Sequence, residues 1–449
     1  MISIHAQSAL TPDGWRRDVR LTVEDGLIAS LEHAVPPDPQ DERCAVLVPG
    51  MPNVHSHAFQ RGMAGLAEVR GPVHDNFWSW RTQMYRFALS MTPDHVEAVA
   101  SQLYMEMLEA GFCRVGEFHY LHHDHDGRPY ANVAEMAERI AAAADHTGIG
   151  LTLLPVFYAH STFGGAAPSD GQRRFICDVD RFEKLLAGCK AAVAPLPGAT
   201  LGIAPHSLRA VTPQELAALT AMSIRGPIHI HAAEQTKEVQ DCLAWSGARP
   251  VQWLLDNAAI DARWTLIHTT HMTEDEIRRL AQSGATSGLC PITEANLGDG
   301  IFSASPFLDA GGNFGIGSDS NIQIGVADEL RQLEYSQRLQ HRLRNVIAPV
   351  HTSTGRTLFD HALRGGGRAL QTSTGLAIGN PADFVSLTTR QTPHVTEDAI
   401  LDLWIFARGI QPDGVWVRGR KLVHGGIHIS REQITARFAG AMLELHLKQ

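Results

Sequence analysis

Between about residue 49 and residue 375, short apolar runs alternate with longer segments in which apolar residues recur at helical spacing. HVEAVASQLYMEMLEAG and NVAEMAERIAAAADHTG are typical of the helical segments. The apolar runs have the length of buried strands, and they are LVPGMPNVHSH, CRVGEFHY, GLTLLPVFYA, TLGIAPHS, PIHIHAAE, WTLIHTTH, ATSGLCP and NFGIGSDS. Eight strands separated by helices predict an α/β fold, a (β/α)8 TIM-like barrel. The alternative, an open doubly wound sheet, lacks its GxGxxG cue after a strand.

The two ends of the chain have a different pattern. ISIHAQSAL and VRLTVEDGLIASLE flank the turn-like TPDGW, and ADFVSLTT, GVWVRGRKLV and GIHI follow one another near the other end. Short apolar runs broken by Gly and Pro indicate strands and turns. We therefore expect residues 1–48 and 376–449 to form one small β-sandwich domain, with a terminal helix, beside a barrel of residues 49–375.

Composition and charge narrow the class of protein. Of 449 residues, 44% are hydrophobic and 19% charged, which is typical of a folded globular protein. A net charge of -10 without a basic cluster predicts no nucleic-acid partner. The lack of any run of about 20 apolar residues predicts no membrane span. Six scattered cysteines without a CxxC pair, and an N-terminus unlike a signal peptide, predict a cytoplasmic protein with reduced thiols.

Ionisable residues stand at the C-terminal ends of most predicted strands. They are His55 and His57, Glu117 and His119, His206, His231 and Glu234, His268, and Asp319. Barrel enzymes carry their chemistry at this end of the strands, where the side chains converge. Buried ionisable groups need partners or a metal ion. The pattern therefore predicts a catalytic site rather than a purely structural core.

Three of these histidines and one carboxylate form a candidate metal site. His55 and His57 are two residues apart on a strand and so point to the same face. Together with His231 and Asp319 they match the ligand types of zinc or another borderline divalent ion. We expect one Zn2+ per chain, although iron or manganese would also suit these ligands. His229 lies deeper on the strand of His231 and is interpreted as structural.

Two further residues are candidates for proton transfer beside a metal-activated water. Glu234 follows His231 by three residues and could act as a proton shuttle, or it could be a first-turn acid that the helix dipole favours. His268 could be a further ligand or a donor that polarises the substrate, and His271 is a weaker competitor. Asp319 could both bind the metal and accept a proton from water.

These residues together resemble the amidohydrolase superfamily. The resemblance rests on HxH at the first strand, His at the fifth with Glu three residues on, His at the sixth and Asp at the eighth, and it spans nearly the whole chain. The fourth strand ends in APHSLR without the lysine of binuclear members, which is similar to the mononuclear deaminase branch. The resemblance implies the metal ligands given above, Glu234 as proton shuttle, His268 as an aid to water activation or substrate polarisation, and a homodimer.

Within that branch, HSHAFQRGMAG, FWSWR, GEFHYLHH and APHSLRAV most resemble the formimidoylglutamate deiminases. The resemblance implies hydrolysis of N-formimidoyl-L-glutamate to N-formyl-L-glutamate and ammonia, a step of histidine degradation. Aminopurine and cytosine-type deaminases and s-triazine hydrolases of the same branch remain alternatives, and Phe59, Trp78 and Trp80 could stack on a nucleobase. A non-enzymatic scaffold with this fold is a remote alternative, since scaffolds usually lose the ligands.

A substrate with two carboxylates requires arginines with hydroxyl or amide donors nearby. The candidate substrate-binding residues are Gln60, Arg81, Tyr120, His206 and Arg209. Each arginine has another interpretation, because Arg81 could pack on tryptophan at the surface and Arg209 could flank a helix. Tyr120 could be a core residue with a solvated hydroxyl. The sequence leaves open formimidoyl-aspartate as substrate and formamide as leaving group.

Overall fold

A computed structural model describes residues 2–71, 74–389 and 392–447. Its strands are β1 (Ile2–Thr11), β2 (Gly14–Glu24), β3 (Leu27–Glu32), β4 (Glu42–Pro49), β5 (Met51–Ser56), β6 (Phe112–His119), β7 (Gly150–Phe157), β8 (Thr200–Leu201), β9 (Ala204–Pro205), β10 (Ile228–Ala232), β11 (Trp264–His268), β12 (Thr286–Leu289), β13 (Asn313–Ile316), β14 (Phe384–Thr388), β15 (Gln411–Val417), β16 (Arg420–His424) and β17 (Ile427–His428).

The helices connect these strands. They are α1 (Phe77–Ser90), α2 (Pro93–Glu109), α3 (Glu135–Thr147), α4 (Val179–Val193), α5 (Pro213–Ala221), α6 (Thr236–Ser246), α7 (Pro250–Asn257), α8 (Glu274–Ser283), α9 (Pro291–Leu297), α10 (Ala304–Asp309), α11 (Val326–His341), α12 (Thr354–Ala369), α13 (Asp398–Phe406) and α14 (Arg431–His446), with 3-10 turns at Ala58–Met63 and Asp170–Gln172. Across the described ranges, no helix is long and apolar enough to cross a membrane.

The predicted barrel is present between β5 and β13. Strands β5 to β9 pair in parallel in one group, and β10 to β13 pair in parallel in a second group. Parallel bridges Ile203–Ile228 and Ser207–His231 connect the groups on one side, and Ser56–Asp319 connects them on the other. Neighbouring strands follow chain order throughout, unlike a doubly wound sheet, in which the order reverses. The α/β barrel class is therefore confirmed.

Local sequence explains why these elements form where they do. All eight residues of β6 and of β7 are buried, as expected for parallel strands covered by helices on one face and by the barrel interior on the other. Helix α5 begins as its sequence predicts, because the Thr212 hydroxyl accepts a hydrogen bond from the Glu215 amide and Pro213 occupies the first turn. Helix α5 thus starts eight residues after the end of β9, and the intervening segment leaves the strand end open for chemistry.

Both chain ends contribute to the β domain. Hydrogen bonds join the strands of the predicted sandwich into one eight-stranded sheet, with the strand order β17-β16-β15-β14-β4-β1-β2-β3. Strand β4 joins the ends, because it pairs in parallel with β1 and antiparallel with β14. A small apolar cluster within the domain includes Ile4, Leu21, Phe384 and Trp416, all almost fully buried. The terminal helix α14 packs on the barrel helix α2.

A buried carboxylate holds the N-terminal strands of this domain together. Asp41 accepts hydrogen bonds from the Ser3 hydroxyl at 2.5 Å, from the Arg20 Nε and Nη2 at 3.1 Å, and from the Asp38 amide at 2.6 Å. Burial favours the neutral acid, but the hydrogen bonds from Arg20 and Ser3 outweigh it and lower the pKa of Asp41 to about 2. The folded state therefore prefers the ionised carboxylate.

We expect Asp41→Asn to lower the free energy of unfolding by about 1–2 kcal/mol at pH 7, since charge-assisted hydrogen bonds are lost. The pKa of Asp41 is lower in the folded than in the unfolded chain. The ionised Asp41 carboxylate therefore makes its full contribution to the free energy of unfolding above pH ~4, and this contribution declines as the pH falls towards 2. Urea unfolding of wild type and variant between pH 7 and pH 3 measures this difference. Asp13→Asn, at an exposed turn, is the control, and a pH-independent difference would contradict the prediction.

Candidate active site

The first and eighth barrel strands meet where the predicted donors lie. The His57 amide donates to the Asp319 carbonyl and the Asp319 amide donates to the His55 carbonyl, each at 3.0 Å. A Cβ on Gly317 would come within 2.8 Å of the backbone nitrogen and oxygen of His55, so only glycine permits this approach. The two strands therefore bring HxH and Asp319 side by side.

Backbone conformation at the strand ends is unusual. Ala233, His268 and Asp319 have φ values of 54°, 69° and 44°, in the left-handed region. Such a conformation costs of order 1 kcal/mol or more for a residue with a side chain, and it recurs at functional sites. It turns the chain sharply at the end of each strand and directs the side chains of His268 and Asp319 towards the barrel axis.

The four predicted metal donors converge. His55, His57, His231 and Asp319 are each at most 6% exposed, and one donor atom from each lies within 4.8 Å of the others. The Nε2 atoms of His55 and His231 are 3.1 Å apart. One Asp319 carboxylate oxygen lies 3.4 Å from His55 Nε2 and 3.2 Å from His57 Nε2. Nitrogen and oxygen lone pairs that face one another this closely suit a shared cation.

The outer ring nitrogens support the same interpretation. His57 Nδ1 lies 3.0 Å from the Phe118 carbonyl, and His231 Nδ1 lies 3.0 Å from the His206 carbonyl. A carbonyl can only accept, so each Nδ1 carries the proton and each Nε2 lone pair is free. Burial lowers the pKa of His55 to about 3 and that of His231 well below its usual range. Neutral imidazoles are the form that binds a metal ion, so the donors fit a divalent cation.

Glu234 and His268 lie beside this cluster. His268 Nε2 is 3.7 Å from a Glu234 oxygen and 3.8 Å from an Asp319 oxygen. The second Glu234 oxygen lies 3.7 Å from Arg209 Nη2. Burial raises the pKa of Glu234, although His268 and Arg209 oppose the shift. A buried carboxyl group beside the donor cluster, with its pKa raised, is placed to transfer a proton.

A cavity opens onto the donor cluster. All five residues predicted to bind substrate line it, and the full lining is His57, Gln60, Phe77, Trp80, Arg81, Met84, Tyr85, Tyr120, Tyr158, His206, Arg209, His231, Glu234, Leu297 and Asp319. The structure thus brings the predicted residues together. Their roles in binding and catalysis stay predictions.

Arg209 has the most distinctive environment of the cavity wall. It is 5% exposed, and within the described ranges its Nε and Nη1 have no hydrogen-bond partner. Its guanidinium lies 5.8 Å from the Phe77 ring and 5.7 Å from the Trp78 ring. A buried cation with free donors is costly unless an anion completes its bonds. The residue therefore forms a candidate anion site inside the cavity.

The other candidates contribute donors of different kinds. Arg81 lies 4.5 Å over the Trp78 ring, so the predicted alternative of packing on tryptophan coexists with its place in the cavity. Gln60 Nε2 donates to the Tyr120 hydroxyl at 3.0 Å. His206 Nδ1 lies 3.0 Å from the Ser207 hydroxyl. Together these residues give the cavity a polar, partly cationic wall.

Sequence reasoning missed two tyrosines of this wall, Tyr85 and Tyr158, and a glutamine that donates hydrogen bonds to their hydroxyl groups. Gln172 Nε2 donates to the Tyr158 hydroxyl at 2.8 Å and to the Tyr85 hydroxyl at 3.3 Å. The rings of Tyr158 and His206 are 4.4 Å apart. Tyr158 directly follows β7. His206 was selected because barrel enzymes carry functional residues at the C-terminal ends of their strands, and the same rule would have found Tyr158. Gln172 lies in an irregular loop and carries no comparable signal.

Several other strand-end residues are directed elsewhere. Glu117 accepts from the Ala58 amide at 2.7 Å, and burial raises its pKa to about 7. His229 Nε2 lies 2.9 Å from the Ala369 carbonyl, in a structural contact. His271 Nε2 lies 2.8 Å from a backbone carbonyl of the following loop. None of these three lines the cavity.

Comparison with known proteins identifies the class. A model of the amidohydrolase family matches residues 46–422, and the chain belongs to this family. Residues 1–45 match the model described as the N-terminal domain of formimidoylglutamate deiminase HutF. The chain is 49% identical to the formimidoylglutamate deiminase of Pseudomonas aeruginosa, over 99% of this chain and 100% of that one. The resemblance found from the sequence is confirmed.

Other proteins are also similar to the chain in sequence or in fold. The 8-oxoguanine deaminase of Pseudomonas aeruginosa is 28% identical over 81% of this chain and 80% of its own. A crystal structure of an amidohydrolase from Brucella melitensis is 59% identical, with a TM-score of 0.97 over 99% of this chain and 100% of that one. A zinc-bound adenosine deaminase from Xanthomonas campestris reaches a TM-score of 0.81 at 22% identity, over 99% and 98% of the two chains. The last likeness concerns the fold alone.

We expect His231→Asn to reduce the metal content of the purified protein at least tenfold, because an imidazole donor is removed from the cluster. Metal analysis after dialysis against a weak chelator measures this effect. His271→Asn is the matched control, since this histidine is nearby but outside the donor cluster. Equal metal content in both variants would contradict the assignment of His231 as a ligand.

Proposed function

We propose that the protein is a metal-dependent deiminase that converts N-formimidoyl-L-glutamate and water to N-formyl-L-glutamate and ammonia. The 49% identity over the full length of a formimidoylglutamate deiminase supports this substrate. The observation that carries the proposal is Arg209, a buried guanidinium with unpartnered donors in the cavity that contains the donor cluster. A dicarboxylate with a small reactive group at one end would satisfy both features.

We further propose zinc as the metal, one ion per chain, held by His55, His57, His231 and Asp319. Iron or manganese would suit the same donors. A bound ion of this kind lowers the pKa of water towards ~7 and so provides a nucleophile at neutral pH. Three imidazole ligands and a single carboxylate would leave a site occupied by a divalent ion with net positive charge, which is favourable for a developing negative charge.

In the proposed reaction, the oxygen of water adds to the formimidoyl carbon. Asp319 accepts one proton of that water and Glu234 accepts the other. Glu234 delivers its proton to the terminal nitrogen, which in the cationic amidine already carries two hydrogens. Ammonia then leaves as the formyl C=O forms, and the proton on Asp319 passes to solvent. His268 Nε2, which lies near both carboxylates, stabilises the oxygen of the tetrahedral intermediate. Release of ammonia rather than formamide follows from proton delivery to the terminal nitrogen.

The carboxylates of the substrate would be bound by the polar wall. Arg209 would pair with one carboxylate through guanidinium donors that have no partner in the described part of the chain, with Arg81 contributing charge nearby. Gln60, Tyr120 and His206 would donate or accept hydrogen bonds along the chain of the substrate. A shorter formimidoyl-aspartate differs by one methylene, which discriminates only modestly.

A nucleobase or s-triazine substrate is the alternative. The cavity contains Phe77 and Trp80, and an 8-oxoguanine deaminase is among the relatives. However, a neutral heterocycle offers no carboxylate to the two donors of Arg209, Nε and Nη1, that are unpartnered among the residues described. The complete donor set argues against the remote alternative of a scaffold without activity.

Partners and location are also proposals. We propose a cytoplasmic homodimer that binds small carboxylate substrates, neither nucleic acid nor membranes. The family resemblance supports the dimer, and all six cysteines are unpaired, as expected in a reducing compartment. Light scattering of the purified protein would measure its oligomeric state.

Ammonia release from metal-loaded protein tests the substrate directly. We expect turnover of N-formimidoyl-L-glutamate, with kcat/KM at least 1,000-fold above guanine, cytosine and an s-triazine, because only the first offers carboxylates to Arg209. Arg209→Met should lower kcat/KM on this substrate about 100-fold, whereas the exposed Arg225→Met should not. Preference for a nucleobase would overturn the substrate while leaving the metal site intact.

We expect Glu234→Gln to reduce kcat at least 100-fold, because an amide cannot carry the proton to the leaving nitrogen. Metal content should stay at the wild-type level, since Glu234 is outside the donor cluster. Steady-state kinetics together with metal analysis distinguish the two effects. Robust turnover by the metal-replete variant would remove Glu234 from the mechanism.

A further inference from the structure

A second buried carboxylate contacts the far side of the His268 ring. Glu294 lies in the first turn of α9, immediately after β12, and is 4% exposed. Its Oε1 is 3.3 Å from His268 Nδ1. The same oxygen accepts a hydrogen bond from the Cys290 amide at 2.9 Å, so the carboxylate is itself held by the backbone. Glu294 does not line the cavity.

This contact determines which nitrogen of His268 faces the reaction. The Glu294 carboxylate accepts a hydrogen bond from Nδ1–H and so fixes the orientation of the ring. Nε2 is then directed at Glu234 and Asp319, and it is buried without a hydrogen-bond partner among the described residues. Without an acceptor at Nδ1, the ring could rotate about its Cβ–Cγ bond and direct a carbon at the reacting atoms.

We propose that Glu294 is a positioning residue for His268, holding its ring so that Nε2 faces the substrate side of the site. The inference rests on the proposed function for its kinetic consequence, but the ring orientation itself does not depend on which substrate is used. The role is indirect, because Glu294 touches neither the cavity nor the donor cluster.

A purely structural role is the competing explanation, since Glu294 also supports the start of α9. The chain offers a matched control for this role. Glu329, from α11, accepts a hydrogen bond from the Ile292 amide at 3.0 Å and is fully buried. It therefore supports the same turn of α9 without contacting His268. Loss of Glu329 should cost stability only.

The test compares three variants of the metal-loaded protein. Glu294→Met retains most of the volume but has no acceptor, and we expect kcat to fall about 100-fold with KM within about threefold and metal content unchanged. Glu294→Gln retains an amide oxygen that can accept hydrogen bonds from both His268 and Cys290. Its kcat should be at least tenfold higher than that of Glu294→Met. Glu329→Met should keep kcat within about threefold of wild type. Glu294→Ala provides the same comparison if the methionine variant does not fold.

Crystal structures of the wild type and Glu294→Met provide a readout independent of substrate. We expect the His268 ring to be reoriented or disordered in the variant and unchanged in Glu294→Gln. The proposal is overturned if Glu294→Met keeps both its kcat and its ring orientation, if glutamine gives no recovery, or if Glu329→Met loses as much activity. A wild type inactive on N-formimidoyl-L-glutamate would refute the proposed function, while the ring orientation would still decide the role of Glu294.

Discussion

The junction between the first and eighth barrel strands is the constraint on which the site depends. Two backbone hydrogen bonds connect His57 to Asp319 and Asp319 to His55, and Gly317 lets the strands approach closely. Without this approach, the HxH pair and the carboxylate would be separated by the width of a side chain. The same contact joins the two groups of strands, so barrel architecture and donor geometry have one physical origin.

Burial then determines the chemistry of the junction. Burial lowers the pKa of His55 and of His231 and so favours their neutral form, and backbone carbonyls accept the Nδ1 protons of His57 and His231. The cost of burying these polar groups is offset only if a cation binds the free Nε2 atoms. The site without a cation and the strained backbone at His268 and Asp319 are therefore energetically unfavourable. They hold the donor atoms in position before a cation binds.

The limits of sequence-based prediction follow from the same geometry. The C-terminal ends of parallel strands meet at one edge, so His55, His231 and Asp319 could be brought together by pattern alone. Gln172 and Glu294 could not, because their positions depend on an irregular loop and a short helix whose conformations no periodicity specifies. The β domain was expected as a sandwich, yet pairing of β4 with strands from both ends makes one sheet. The domain boundaries stay predictions.

Different parts of the fold carry reactivity and selectivity. The metal donors stand on strand ends, which barrel closure fixes, and a zinc-bound adenosine deaminase at 22% identity retains the same fold. The cavity wall, by contrast, comes largely from α1 and from the segment after β9, which carry Arg81 and Arg209. These segments can change without disturbing the strand junction. Substrate preference can therefore diverge among members of the family while the donor cluster persists, so the cationic wall is more informative about the substrate than the metal site.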